Sequence, residues 1–292
     1  MKYYVLYNPL AGHGSHKEKL DMICSLYDEE TVTYDITKLD GYDKLVSELE
    51  SEDVIILCGG DGTINRFVND TEHFDIKNEI LYYPLGTGND FLRDIEKTDC
   101  TSPISIKKYI EDLPVVNVKG KSYRFLNNVG FGIDGYCCEV GDELKKNSTK
   151  PVNYTAIAIK GLLFHYKPTS ATVVVDGKEY KYDKVWIAPT MKGRFYGGGM
   201  MATPDQDRNA TELSLMLFYG KGRLKTLSVF PSIFKGEHVK HKNIVAIHTG
   251  TEISVTFDRP SPLQIDGETI LDVTSYTAQA TSVKAKEMLS VK

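Results

Sequence analysis

The sequence predicts an α/β amino-terminal domain built on a mostly parallel, three-layer sheet, followed by an antiparallel β-sandwich. Three observations carry that expectation. Apolar strand-like runs alternate with helical patterns up to about residue 113, which is the pattern of repeated βαβ units. From residue 114 to about 280 the pattern becomes many short strands separated by turns, which favours a sandwich over further βαβ units. Within the first regime lie two glycine-rich loops, each placed directly after an apolar run.

Taken in order, residues 3–7 read as a first strand, leading into Asn8-Pro9-Leu10-Ala11-Gly12-His13-Gly14-Ser15 and then a helix to about residue 27. Residues 31–36 are β-branched and alternating, a second strand. Leu45, Val46 and Leu49 fall on one face of a helix over 42–49. The apolar run 54–57 is a buried strand, followed by Cys58-Gly59-Gly60-Asp61-Gly62-Thr63 and a helix expected to begin at Ile64. Residues 80–83 give another strand, closed by Pro84-Leu85-Gly86-Thr87-Gly88-Asn89-Asp90-Phe91-Leu92-Arg93, and a short helical piece spans 104–110.

In the second half, 115–118, 122–127 and 130–136 read as strands, and 153–165 as a helix with an apolar flank. Strands follow at 171–175 and 180–188 around the hairpin signal Asp176-Gly177. Further strands are expected at 213–218, 244–248, 252–257, 262–265 and 270–273, with a helix over 224–234 interrupted at Pro231. The domains expected are therefore 1–113, 114–280 and a tail, 281–292, forming a short helix that packs back on the first domain.

With 292 residues the chain is long enough for two domains with their own cores. A formal net charge of -5 argues against a general nucleic-acid binder, whose affinity rests on neutralising phosphates. The five cysteines form no CxxC pair, which points to a reducing, cytoplasmic setting. The apolar run at the amino terminus is too short for a signal peptide, and no stretch has the apolar length of a membrane span. A basic stretch at Lys235, His238, Lys240, His241 and Lys242 reads first as a solvated loop and second as a patch facing anionic headgroups.

The chemistry concentrates in the glycine loops. A strand feeding a glycine turn and then a helix N-terminus lets backbone N–H groups approach a phosphate, which places Gly59, Gly60, Gly62 and Thr63 at an anion site. A carboxylate there would repel phosphate unless a cation intervened, so Asp61 points to Mg²⁺ and nucleotide chemistry. In an open α/β sheet, ligands bind at the carboxyl ends of the strands. The turn at 59–63 and the loop at 86–89 are thus expected to converge, with the loop from Asn8 to Gly14 on a third side.

These loops together resemble the diacylglycerol kinase catalytic domain found in the soluble bacterial lipid kinases. Gly59-Gly60-Asp61-Gly62-Thr63 matches the family signature and continues into Asn65 and Asn69; Pro84 to Arg93 matches its second loop without a break. Gly197-Gly198-Gly199-Met200 resembles the family's later glycine turn, and Leu263-Gln264-Ile265-Asp266-Gly267-Glu268 its carboxy-terminal Asp-Gly-Glu segment. The first motif alone is shared with NAD kinases and sphingolipid kinases; the other segments narrow the resemblance to lipid kinases.

The resemblance implies a nucleotide between the domains and an ATP- and Mg²⁺-dependent kinase that makes phosphatidic acid from diacylglycerol. It implies that Asp61 serves the Mg²⁺–phosphate network, and that Thr63, Thr87 and Asn89, with Asn8, line the nucleotide pocket beside Gly59, Gly60, Gly62 and Gly86. Glu268 would be the general base, with Asp266 orienting or metal-linked. The substrate would be drawn from a membrane by transient surface contact. The protein would be cytoplasmic or at most peripheral, without a nucleic-acid partner, and a homodimer stays open. Three departures stand out: Arg66 replaces the family's Glu, Asp70 its Gly, and Ala210-Thr211 an Asp-Gly pair that belongs to a structural metal site. The alternatives are a kinase for another hydroxyl lipid or for NAD, and a catalytically impaired nucleotide- or lipid-binding regulator.

Overall fold

The computed structural model describes residues 1–11, 16–85, 89–147 and 152–281, and the chain divides into two compact units, Met1–Asp112 and Leu113–Lys292. The expected helix at the carboxyl end lies outside the described residues.

The first unit runs β1 (Tyr3–Tyr7), α1 (His16–Cys24), β2 (Thr31–Asp35), α2 (Asp43–Glu48), β3 (Val54–Gly59), α3 (Asp61–Asp70), β4 (Glu79–Pro84), α4 (Asp90–Asp94), β5 (Ile104–Ser105) and α5 (Lys107–Ile110). Its sheet has the order β2-β1-β3-β4-β5, parallel except where β5 pairs antiparallel with β4. The sheet is therefore mixed, and part of the span expected to be helical at 104–110 is this edge strand. The central strand β3 is covered on both faces, with Ile55, Ile56, Leu57 and Cys58 buried, which explains its unbroken apolar run. Helix α1 closes one face through Ile23. On α3 the buried residues Ile64, Phe67 and Val68 share one flank. The order of strands reverses between β1 and β3, so the carboxyl ends of these two strands form the switch point where open α/β sheets take ligands.

One boundary differs in a way that matters. Strand β3 extends through Gly59 and α3 begins at Asp61, three residues before the expected start. Gly60 is the N-cap, and Asp61 is the first helical residue, where a carboxylate is favoured by the exposed N–H groups of the helix end.

The second unit contains β6 (Val115–Val118), β7 (Lys121–Arg124), β8 (Asn128–Gly132), α6 (Ile133–Asn147), α7 (Tyr154–Lys160), a π-helical turn (Gly161–His165), β9 (Thr169–Val175), β10 (Lys178–Val185), β11 (Ile187–Met191), β12 (Phe195–Tyr196), β13 (Met200–Met201), β14 (Leu213–Phe218), α8 (Arg223–Val229), β15 (Val245–Gly250), β16 (Glu252–Ile265) and β17 (Glu268–Gln279). Every described strand pair in it is antiparallel. The long strand β16 belongs to both layers of the sandwich: its first half pairs with β9 and its last residues with β8, while β17 follows it. Its sequence reads as two strands because Pro260 and Pro262 interrupt the pattern. The structure places them at a register shift between Thr256 and Leu263, where a missing N–H donor is tolerated. Strand β14 is buried on both faces: Leu213, Leu215 and Leu217 enter the core between the layers, and Met216 and Phe218 pack under the helices.

Helix α6 overturns the expectation of a strand over 130–136. Phe131 and Ile133 alternate as a strand would, but the chain turns at Gly132 and becomes helical at Ile133. The helix lies close on β16, since a Cβ at Gly135 would stand 1.9 Å from the carbonyl oxygen of Pro262. At Pro231 the expected helix ends as anticipated: α8 stops at Val229 and a 3-10 turn, Phe230–Lys235, takes over. In the basic stretch, His238 is buried and Lys240 pairs with Glu237 at 3.1 Å.

Candidate active site

In the first unit the loops at the ends of β1, β3 and β4 are tied together by named hydrogen bonds. The Asn8 N–H donates to Cys58 O at 3.0 Å, holding the β1 loop against the end of β3; the Asn8 side chain accepts from Leu10 N at 3.0 Å and tightens its own turn. Leu85 N donates to Gly59 O at 2.8 Å. The fully buried Tyr82 hydroxyl donates to the same carbonyl at 2.9 Å and reaches Asn89 Oδ1 at 3.3 Å. Burial keeps that phenol protonated, well above its usual range.

Asp61 makes the decisive link. Its Oδ2 accepts the backbone N–H of Asp90 at 2.9 Å and of Phe91 at 3.2 Å. A carboxylate at the first position of α3 thus also caps α4, and the two helix N-termini meet through it. Thr63 is buried and braces the turn from behind: a Cβ on Gly59 would come within 2.1 Å of its Oγ1, so only glycine fits there. Among the described residues nothing lies within 4 Å of where a Cβ would stand at Gly60 or Gly62. The outer side of the turn therefore has room for a bulky anion beside backbone, which fits a nucleotide phosphate. Gly86 and Thr87 lie outside the described residues. Arg66 and Asp70 pair with each other at 3.2 Å on the exposed face of α3, so these two departures compensate one another at the surface.

In the second unit, Asp266 and Gly267 form the two-residue turn between β16 and β17, with Ile265 paired to Glu268. Both turn residues have positive φ, 46° and 95°, as the type I′ hairpin requires. The turn docks on the chain entering β8. The Asp266 carboxylate accepts N–H groups from Leu126, from Asn127 at 2.8 Å and from Asn128 at 2.9 Å, and Asp266 N donates to Asn128 O at 2.9 Å. Burial of this carboxylate raises its pKa, opposed by those three N–H groups and by the charge of Arg208. The buried Arg208 donates to Leu126 O at 2.6 Å and Asn127 Oδ1 at 2.7 Å, fixing the platform under the turn. Glu268, two residues on, is exposed, and its neighbour Thr269 donates to Asp142 of α6 at 2.8 Å. At Ala210 the carbonyl oxygen accepts from the buried Lys192 ammonium at 2.9 Å.

Two residues with clear chemistry were not singled out by the sequence. Tyr82 reads as one more apolar strand residue, because nothing in a strand pattern marks a hydroxyl aimed at the strand end. Asp134 is the other. It opens α6 and accepts from the Tyr196 hydroxyl at 3.0 Å through Oδ1, while its buried Oδ2 has no hydrogen-bond partner among the described residues. Burial pushes its pKa up to about 7, against the Tyr196 hydrogen bond. Its signal was available: Gly132-Ile133-Asp134-Gly135 has the same strand–glycine–carboxylate–helix grammar as the turn at Asp61.

A nucleotide-type α/β unit carrying an open glycine turn, followed by an antiparallel sandwich with a carboxylate hairpin, is the two-domain order that the resemblance to lipid kinases implies. Comparison with known proteins agrees. Residues 2–116 match the diacylglycerol kinase catalytic domain, and residues 127–283 match the YegS C-terminal NAD kinase beta sandwich-like domain. The chain belongs to the bacterial diacylglycerol/lipid kinase family. It is 26% identical to a diacylglycerol kinase of Bacillus subtilis (strain 168), over 90% of this chain and 88% of that one. It is likewise 26% identical to a diacylglycerol kinase of Mycobacterium tuberculosis (strain H37Rv), over 82% and 80%. The crystal structure of a diacylglycerol kinase from Bacillus anthracis (strain Sterne) shares the fold, with a TM-score of 0.60 at 18% identity, covering 95% of this chain and 93% of that chain. Among the described residues no helix is long and apolar enough to cross a membrane, and none of the five cysteines is paired in a disulfide.

Proposed function

We propose that the chain transfers the γ-phosphoryl group of ATP to the free hydroxyl of diacylglycerol, giving phosphatidic acid and ADP. The observation that carries this reading is the Asp61 link, which joins two helix N-termini beside an open glycine turn at the carboxyl ends of neighbouring strands. Relatives named as diacylglycerol kinases support the choice of acceptor.

ATP supplies the transferable group, and Mg²⁺ neutralises its phosphates. Such an ion keeps waters and phosphate oxygens and needs only one or two carboxylates from protein. That demand fits Asp61, although among the described residues no cluster of three or more His, Cys, Asp or Glu side chains is arranged to hold a metal. The backbone at Gly60 and Gly62 binds phosphate. Asn89, with Thr87, provides side-chain hydrogen bonds, and Thr63 and Asn8 keep the surrounding turns in place. On the acceptor side, Glu268 takes the proton of the lipid hydroxyl as its oxygen bonds to phosphorus and the bond to ADP breaks. Asp266 orients Glu268: its carboxylate already receives three backbone N–H groups, so its part is to hold the turn.

The test is turnover with labelled ATP over a panel of diacylglycerol, monoacylglycerol, sphingosine and NAD, with mass analysis of the product. Phosphatidic acid is the expected product, and phosphorylation of NAD alone would refute the assignment. Replacing the base, Glu268→Gln, is expected to lower kcat by about 10²–10⁴-fold, the range for loss of a general base. Because Glu268 is exposed, its stability should be unchanged. Undiminished turnover in that variant would remove Glu268 from the mechanism.

A further inference from the structure

The loop between β13 and β14, residues 202–212, contains three carboxylates, Asp205, Asp207 and Glu212, and all three residues are exposed. The Asp207 carboxylate is taken up locally by Asn209, which donates from its backbone N at 2.9 Å and from Nδ2 at 3.1 Å. The backbone carbonyls of the loop are met by side-chain donors from within. The buried Gln206 amide donates to Asp207 O at 3.1 Å and to Glu212 O at 3.0 Å. The Lys192 ammonium donates to Ala210 O at 2.9 Å. Lys192 follows directly on β11 and is 6% exposed, as is Arg208 in the loop itself.

By resemblance, Ala210-Thr211 stands where the family has an Asp-Gly pair that belongs to a structural metal site. A hard divalent cation takes carboxylate and carbonyl oxygens as ligands and is repelled by positive charge. In this loop a methyl group stands in the place of that carboxylate, and the carbonyl of the same residue is held by an ammonium. Two further carbonyls are held by an amide NH₂. Arg208, two residues before Ala210, adds a second buried positive charge and donates to Leu126 O at 2.6 Å and Asn127 Oδ1 at 2.7 Å. These donors do not fit a metal ion. They fit a cation that is part of the chain, since an ammonium on a carbonyl oxygen makes a charge-assisted hydrogen bond.

The same lysine ties the loop to the rest of its unit. Lys192 N donates to Asn127 O at 2.8 Å, and Asn127 N donates to Asp266 Oδ1 at 2.8 Å. Lys192 and Arg208 therefore fasten the loop to the platform under the Asp266 hairpin, where the charge of Arg208 favours the ionised form of Asp266. An ammonium this buried destabilises a fold unless its N–H groups are used, and Ala210 O takes one of them. We propose that the Lys192 ammonium does in this chain the work of the structural divalent cation, so that the second unit holds the 202–212 loop without bound metal. The Mg²⁺ assigned to the nucleotide belongs to the first unit and is a separate matter.

Trp186 is the single tryptophan of the chain and is buried in the second unit, so its fluorescence reads the unfolding of that unit. The full chain, freed of metal with a chelator and kept without nucleotide, is melted with and without millimolar Mg²⁺ or Ca²⁺. The wild-type midpoint is expected to move by less than about 1 °C, because an ion without a site adds no binding energy. A midpoint that falls on chelation and recovers with either ion would overturn the proposal. Lys192→Met strands Ala210 O and should lower the midpoint by about 5 °C or more, whatever the ion present. Lys192→Arg keeps a cation and should lose less. Should Lys192→Met fail to fold, the chelator melts of the wild type and of Lys192→Arg carry the test; if it melts with the wild type, the ammonium has no structural role and the proposal fails. Lys192→Met combined with Ala210→Asp removes the built-in cation and supplies the carboxylate. Its midpoint should rise by about 5 °C or more in millimolar Ca²⁺, a response the wild type lacks. An unresponsive double variant would make Lys192 an ordinary buried lysine and overturn the exchange.

Discussion

Replacing Asp61 tests whether one carboxylate serves both architecture and chemistry. Asp61→Ala removes the acceptor for Asp90 N and Phe91 N, bonds of 2.9 and 3.2 Å to a charged oxygen. Loss of a helix cap costs about 0.5–2 kcal/mol, and a hydrogen bond to a charged group contributes about 1.5–3 kcal/mol. With both bonds sharing one oxygen, about 2–3 kcal/mol is expected for the first unit. At the roughly 4 °C per kcal/mol that applies to a domain of this size, its melting temperature should fall by about 10 °C. Asp61→Asn keeps a neutral acceptor in the same place, so its cost should be only about 1 kcal/mol. If Asp61 also serves the Mg²⁺–phosphate network, Asp61→Asn should nevertheless lose about 100-fold or more in kcat at saturating Mg²⁺, far beyond its effect on folding. Thermal melts monitored by circular dichroism, run beside turnover at several Mg²⁺ concentrations, measure the two effects separately. An Asp61→Ala variant that melts with the wild type would refute the capping argument. An Asp61→Asn variant with near-normal turnover would refute the chemical one.

Two further outcomes concern the second unit. Asp134, with its pKa raised from 3.8 to about 7 by burial, makes stability fall as pH rises. Below about pH 4 both states hold the proton; between 4 and 7 the unfolded chain loses it and the folded one does not; above 7 the penalty is complete, at most about 4 kcal/mol. Urea midpoints across this window should decline in the wild type and flatten in Asp134→Asn, and an equal slope in both would exclude Asp134 as the source. Gly135→Ala would drive a methyl group to within 1.9 Å of the Pro262 carbonyl oxygen, where only backbone can yield. A loss of about 3 kcal/mol or more is expected in urea unfolding, whereas a near-neutral result would mean that α6 can lift off β16.

Much of this structure was legible because its local rules agree. The buried run of β3, the Asp-Gly hairpins and the stop at Pro231 each follow from a residue type with one dominant backbone consequence. Helix α6 was not legible, since Phe131 and Ile133 alternate like strand residues and the turn at Gly132 depends on what packs behind it. Strand β16 was split in reading because proline signals a break locally, while the bulge that absorbs Pro260 and Pro262 needs partner strands to exist. At the candidate site, motif spacing named Asp61, Asn89 and Asp266, but not what their side chains hold. A hydrogen bond from Tyr82 to Gly59 O, or three N–H groups converging on Asp266, arises only when distant segments meet.

The three carboxylates Asp61, Asp134 and Asp266 share a design that bears on how such a site can change. Each stands at a strand end beside a glycine, and Asp61 and Asp266 spend charge on backbone N–H groups of a segment far away in sequence. Removing either one therefore loosens the loop it anchors as well as altering local charge. Exposed positions carry no such double duty: Arg66 and Asp70 replace the family's Glu and Gly and need only each other. If Glu268 is the base proposed above, loss of activity by drift would start there, at an exposed side chain, before it reached Asp61 or Asp266. Glu268 is nevertheless retained in the Asp-Gly-Glu turn. An exposed carboxylate that folding does not need, beside one the turn cannot lose, is what the proposed role of Glu268 as base would require, and the Glu268→Gln variant tests it.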